Sequence, residues 1–422
     1  MRFRTGDVTR LEGKAAFRLL FACLLTVGMG NSMLLAVLPP LARTLGLPDA
    51  AVGVIFSFSA VLWVITSPLW GKASDRLGRK RLIVFGLSAY AASQAAFVVV
   101  ILLGLAGHWE ASALVIALTL ARALFGAGGS ATNPAAQAYV AERTEPARRM
   151  SEIAALTSAF AFGSAAGPAI AAMLIAAFDL TAPLILAGVT AAAGAIAAQW
   201  YLAGDAPAAD VAPPAAAPSW ALMREPHVAR YLVYAVLMSS VAAITSQTLA
   251  FTVIDRLELE PARGAELTAV AFAAAALAQI VAQIGLIPRL SLTPRMLMVV
   301  GAGISAVGAL CTVLAGSFGA IAAGQILLGL GAGLARPGYT VGASLAVPEG
   351  RQGGVAGLVV SANGAGFIIA PILGTGLYQL TGPVGPWALA TVVLAAMTAM
   401  AFTSRTLREP PVTAAPERAE DL

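Results

Sequence analysis

The sequence is built from long, nearly uninterrupted apolar blocks separated by short polar joints. The block LIVFGLSAYAASQAAFVVVILLG, which begins at Leu82, is representative. It is long enough for a membrane-crossing helix of about 20 residues, and it lacks the apolar and polar alternation of a barrel strand. Such blocks predict spans at roughly 17–40, 50–70, 82–104, 111–138, 151–178 and 181–202. Six more are predicted at roughly 229–254, 266–288, 295–316, 318–346, 352–378 and 385–404. Between the two sets lies DAPAADVAPPAAAPS at 205–219, rich in Ala and Pro without apolar periodicity, which reads as a flexible linker. The expected organisation is a six-helix unit at 1–203, a linker at 204–228, a second six-helix unit at 229–404 and a polar tail at 405–422. The first apolar block follows Arg10, Lys14 and Arg18 without a convincing cleavage site and is read as a retained span.

Composition agrees with lipid as the solvent, since 59% of the residues are hydrophobic and only 11% charged, against about 25% charged in soluble domains. Helices satisfy every backbone group internally, as the bilayer requires. Charge then orients the spans. Of the 26 basic residues, 21 fall in the N-terminal arm, the tail and alternate joints. By the positive-inside pattern this places both termini in the cytoplasm of a cell whose inner membrane holds the chain. The net charge of +5 is therefore topological, and nucleic acid is not an expected partner. Cys23 and Cys311 lie inside apolar blocks, which excludes a disulfide framework or a zinc site. Only two histidines, His108 and His227, are present, with no metal cluster, serine elbow or phosphate-binding loop in context, so the chain is not expected to be an enzyme or to hold a cofactor or metal.

The two sets of spans repeat. A constant offset of 203 pairs Gly126 with Gly329, Gly128 with Gly331, Pro134 with Pro337, Arg148 with Arg351, Gly163 with Gly366 and Pro168 with Pro371. Transporters use such parallel repeats to enclose a site near the midplane and rock about it. The expected fold is an all-α integral membrane protein of twelve transmembrane helices in two pseudo-symmetric six-helix bundles.

Between spans 2 and 3 the chain reads Gly71-Lys72-Ala73-Ser74-Asp75-Arg76-Leu77-Gly78-Arg79-Lys80-Arg81. The lone acid Asp75 among five bases, bracketed by Gly71 at a helix end and Gly78 in a tight turn, points to a specific ion pair at a helix terminus. This segment resembles the loop pattern G-x-x-x-D-R-x-G-R-K/R of the major facilitator superfamily and matches every fixed position. The resemblance implies a latch between the two halves in the outward-facing state, with Asp75 and Arg76 as its breakable contacts. Span 4 carries LTLARALFGAGGS, similar to a family pattern of an intramembrane Arg followed by glycines. Arg122 lies near mid-bilayer, where a charge costs at least a few kcal/mol and is functional by default. In the family this position is associated with proton coupling. Span 5 carries Gly163, Gly167 and Pro168 in GSAAGPAIAA, close to the G-x-x-x-G-P-x-x-G-G pattern of exporters, with Ala171 and Ala172 in place of two glycines.

Polar residues deep in spans are expected to face the pathway. They are Asn31 and Ser32 in span 1, Gln94 in span 3, Gln247 in span 7, Gln279 and Gln283 in span 8, Gln325 in span 10 and Asn363 in span 11. Gln279 and Gln283 share a face by their spacing, and Gln325 stands at the repeat position of Arg122. No carboxylate lies deep in a span. A proton route must then use Asp75, Arg122 with an interfacial acid such as Glu142, or Asp255 at the outer end of span 7. Without a buried acid, a cation would meet only aromatic faces such as Phe56, Phe58, Trp63 and Tyr234, so neutral or anionic amphiphiles are the better-matched cargo. The expected activity is proton-coupled efflux of small hydrophobic or amphiphilic compounds by a monomer in the lipid bilayer. The alternative is a metabolite or organic-anion transporter of the same fold.

Overall fold

The structure is a computed structural model that describes residues 13–204, 220–348 and 351–404. Among these residues twelve helices are long and apolar enough to cross a membrane, and none forms a β-strand. Spans 1 to 6 are Lys14–Thr44, Asp49–Leu77, Arg79–Leu105, Ala111–Glu142, Pro146–Ala177 and Ala182–Tyr201. Spans 7 to 12 are Pro226–Leu257, Pro261–Leu290, Pro294–Leu314, Phe318–Leu345, Gln352–Thr381 and Val384–Thr403. Most helices overrun their expected blocks by a few residues at one end or both, while spans 6 and 10 stop a residue short, because local hydrogen bonding and not hydropathy sets where they stop. Span 2 departs most from expectation. Gly71 is not at its end; the helix runs on to Leu77 and stops at Gly78, whose φ of 96° only glycine adopts readily. Of the expected linker, residues 205–219 and the tail from 405 lie outside the described residues. Trp220–Arg224 forms a 3-10 turn leading into span 7, which also takes in His227.

Backbone contacts divide the chain into two compact units. One holds residues 1–210, 246–273 and 370–383; the other holds 211–245, 274–369 and 384–422. Within the first, small residues bring helices close. A Cβ on Gly28 would fall 2.2 Å from the Phe160 carbonyl oxygen, and one on Gly163 would fall 2.0 Å from that of Leu25, so spans 1 and 5 touch backbone to backbone. Leu20, Leu87, Tyr90, Ala191 and Ala195 fill the seam of spans 1, 3 and 6. Large apolar side chains such as Ile116, Leu120, Val189 and Ile196 stay exposed on the outer faces, as a lipid solvent allows. In the polar turn before span 6, Asp179 accepts hydrogen bonds from the Thr181 hydroxyl and from the amides of Thr181 and Ala182. These bonds hold its carboxyl below the usual value.

The repeat is visible in packing. Gly126 of span 4 backs onto the Ser59 carbonyl of span 2, and Gly329 of span 10 backs onto the Ala275 carbonyl of span 8. Likewise Gly128 meets Ala89 of span 3, and Gly331 meets Gly301 and Ser305 of span 9. The copies differ at one point. Span 4 breaks into a 3-10 turn at Gly129–Ala131, whereas span 10 is one continuous helix. The third closely spaced glycine, Gly129, has Ala332 as its counterpart, and Ala favours helix by about 1 kcal/mol. Around the break, span 2 supplies the donors. The Trp70 indole donates to the Ala127 carbonyl at 2.6 Å, and the Thr66 hydroxyl reaches that of Gly126 at 3.3 Å.

Candidate functional site

The loop joining spans 2 and 3 is anchored inside the first unit. Arg79 Nε donates to Glu142 Oε1 at 2.8 Å at the end of span 4, and its Nη1 donates to the Ser74 hydroxyl. Lys80 Nζ donates to the Leu202 carbonyl at 2.8 Å beyond span 6. Gly78 supplies the turn, while Arg76 and Arg81 are exposed and a Cβ on Gly71 would meet open space. Asp75 lies in the last turns of span 2, and its side chain falls outside the described part. Glu142 corrects one expectation: it pairs with Arg79 and, at 3.6 Å, with Arg143, not with Arg122.

Arg122 lies inside the first unit and is only 3% exposed. Its Nη2 donates to Asn31 Oδ1, joining two residues that the sequence singled out. The guanidinium sits between two rings, 5.1 Å from the Phe56 centroid and 4.5 Å from that of Phe125. Trp63 and Tyr90 flank Phe125 at 5.1 and 4.8 Å. The Tyr90 hydroxyl reaches span 1 beside Gly30, where a Cβ would fall 2.2 Å from it. Arg122 Nε and Nη1 and the Tyr90 hydroxyl have no hydrogen-bond partner, and no ion pair involves Arg122 among the described residues. Tyr90 gave no signal in sequence beyond being an aromatic in an apolar block.

In span 5, a Cβ on Gly167, which directly precedes Pro168, would fall 2.1 Å from the Ser32 hydroxyl and 2.4 Å from the Met29 carbonyl in the same seam with span 1. The remaining predicted lining residues are dispersed. Gln247 is fully buried with both amide atoms unpartnered. Gln325 is buried with an unpartnered Nε2. Asn363 Oδ1 accepts from the Tyr339 hydroxyl at 2.9 Å. Gln279 and Gln283 are half-buried where span 8 passes into a π-helical stretch at Val281–Leu286. A groove of about 920 Å³ lined mainly by apolar side chains such as Leu62, Trp70, Phe85, Leu120 and Leu124 runs along spans 2 to 4 and holds none of the predicted site residues.

The sequence missed an ion cluster at the end of span 1 opposite Lys14. Arg43 donates to both oxygens of Asp49, each at 2.8 Å, and also binds both oxygens of Asp255. The Tyr378 hydroxyl donates to Asp255 Oδ2 at 2.8 Å, and Arg43 lies over the Phe251 ring. Close by, Gly53 abuts the Pro371 carbonyl and Thr375, and the Ala50 amide donates to Gln379 at 3.3 Å. Sequence spacing flagged Asp255 as a terminal acid but gave no sign of partners more than 100 residues away.

Comparison with known proteins places this architecture. The chain is similar to multidrug resistance protein 2 of Bacillus subtilis, 28% identical over 191 residues that cover 45% of this chain and 44% of that protein. It is 34% identical over 146 residues to the class D tetracycline resistance protein of Salmonella ordonez, covering 34% of each. These matches span less than half the length of the curated relatives. Among solved structures, a bacterial homologue of the human lysosomal transporter Spinster superposes with a TM-score of 0.76 at 13% identity, covering 95% of this chain and 98% of that one. The human organic anion transporter MFSD10 gives 0.60 at 18% identity, covering 92% and 98%. At such identities the likeness is one of fold. The family profile matches residues 20–292 and 289–421, nearly the whole length, and the chain belongs to the Major Facilitator Superfamily: it is a membrane transporter, with twelve membrane-crossing helices among the described residues, and not an enzyme.

Proposed function

We propose that this transporter exports small hydrophobic or amphiphilic, drug-like compounds across a cell inner membrane by alternating access. In this reading protons drive it, both termini are cytoplasmic and the protein works as a monomer. The observation that carries the direction is the seam of Gly28, Gly163 and Gly167, where spans 1 and 5 meet with no room for a Cβ in the segment that resembles the exporter pattern. The names of the multidrug and tetracycline resistance relatives support the same reading. Residues 1–203 and 229–404 act as the two moving halves, joined by 204–228. The Gly71–Arg81 loop is their latch, through Asp75 and Arg76. Asn31, Gln247, Gln279, Gln283, Gln325 and Asn363 serve cargo. With Glu142 committed to Arg79, Asp75 with Arg122 and the outer acid Asp255 remain for the proton route, and the ion cluster in which Asp255 is shared between Arg43 and Tyr378 favours Asp255 as the carrier.

A second reading, transport of an organic anion, is favoured by one observation: the buried Arg122 has no acidic partner among the described residues. The deciding experiment is flux in liposomes of purified protein. An amphiphilic fluorescent dye should accumulate only while a pH gradient is imposed. Dye that merely equilibrates across the membrane, at the same rate and to the same level with or without the gradient, would replace the exporter with a facilitator.

A further inference from the structure

Arg122 presents a chemical demand that its surroundings leave unmet. A guanidinium has five N–H donors and cannot lose its charge. Asn31 takes one donor of Nη2, while Nε and both hydrogens of Nη1 meet nothing. The side chain cannot escape toward water, because the rings of Phe56 and Phe125 lie against it and it is 3% exposed. Those faces attract the cation but leave its N–H edges bare.

The unmet groups cluster. The Tyr90 hydroxyl, also without a partner, stands beside Gly30, next in the chain to Asn31, and its ring packs on the same Phe125 that faces Arg122. One helical turn along span 3, on the same face as Tyr90, the fully buried Gln94 leaves both amide atoms unpartnered. Water could answer the hydrogen bonds but not the charge. A lone cation at this depth in a bilayer is costly and is ordinarily neutralised by a partner, yet among the described residues no carboxylate pairs with it.

We propose that the cluster of unpartnered donors around Arg122 is an anion site. It takes one compact monoanionic group, which accepts hydrogen bonds donated by Arg122 Nε and Nη1 and by the Tyr90 hydroxyl, and it is entered past Asn31, the half-buried member of the cluster. The group is either the carboxylate of an amphiphilic cargo or a free halide. In the first case the inference rests on the transporter reading above and narrows its cargo to amphiphilic monoanions.

Isothermal titration of the full-length protein in detergent, with sulfate as the sole buffer anion, tests this. Benzoate, its neutral isostere benzamide and chloride serve as probes. Saturable binding of benzoate with none of benzamide is expected. Arg122→Gln should weaken benzoate at least tenfold and the isosteric Tyr90→Phe about threefold or more, with melting temperatures recorded for both. If Arg122→Gln does not fold, Tyr90→Phe carries the test alone. Benzoate that displaces chloride and is itself carried into liposomes identifies the cargo carboxylate as the source. Binding of chloride without benzoate identifies a resident halide, and the site stands. The proposal is overturned if benzamide binds as well as benzoate, if neither anion binds, or if the variants that fold bind as tightly as the parent. Dye flux under a pH gradient separates the two levels: flux without anion binding removes the anion site and leaves the exporter intact.

Discussion

Gly163 illustrates how much one missing methyl decides. Its Cα faces the Leu25 carbonyl so closely that a Cβ would come to 2.0 Å of that oxygen and 2.8 Å of the Met29 amide nitrogen, both main-chain atoms that no rotamer change can move aside. Gly163→Ala should therefore force spans 1 and 5 apart, at the 1–3 kcal/mol typical of overpacking. Thermal unfolding in detergent should show the loss as a lowered midpoint with unchanged helix content in circular dichroism. A midpoint equal to the parent's would overturn the close backbone contact of spans 1 and 5. Gly71 makes the contrast. It matches the family loop pattern equally well, yet a side chain there would meet open space. Any demand for glycine at Gly71 must come from a different arrangement of the loop, whereas the demand at Gly163 is present in this one. Among motif glycines the sequence marks position but not purpose, because purpose depends on what the fold brings opposite.

At the scale of elements, the twelve spans were legible because lipid imposes one rule on every block: enough apolar residues to cross, and all backbone groups satisfied within the helix. Local departures from that rule were not legible. The break at Gly129–Ala131 and the π-helical stretch at Val281–Leu286 both sit inside apolar sequence that reads as uninterrupted helix. What permits the first is a donor from another span, the Trp70 indole on the Ala127 carbonyl. Trp70→Phe removes that donor along with part of the ring's contact area, leaving the carbonyl to the Ser130 hydroxyl at 3.0 Å. A net loss of about 1 kcal/mol is expected. It should be read from chemical or thermal unfolding in detergent, and a variant as stable as the parent would show that Ser130 alone suffices.

Across the whole chain, sequence reading found Arg122 and Asn31 and could not know that they bond. It found Asp255 and could not see Arg43. Burial depth is inferred from position within a span, but partnership is a property of packing between spans, and nothing in a single sequence aligns residue 43 with residue 255 or 378. Assigning the proton to Asp255 gives a prediction at this level. Neutralising it, as Asp255→Asn, should lower gradient-driven dye accumulation at least tenfold while exchange of dye at equal pH persists; full accumulation by the variant would move the proton elsewhere. The same cluster bears on how the chain is assembled as it leaves the ribosome. Asp49 follows Arg43 by only six residues and can neutralise it while the first hairpin is entering the bilayer. Asp255 and Tyr378 are synthesised far later. During insertion Arg43 thus holds an early partner, and it acquires its second acid only when span 7 arrives and the hydroxyl that steadies that acid only with span 11. A nascent chain halted before span 7 would carry the first partnership alone, so the cluster doubles as a record of how far biogenesis has advanced.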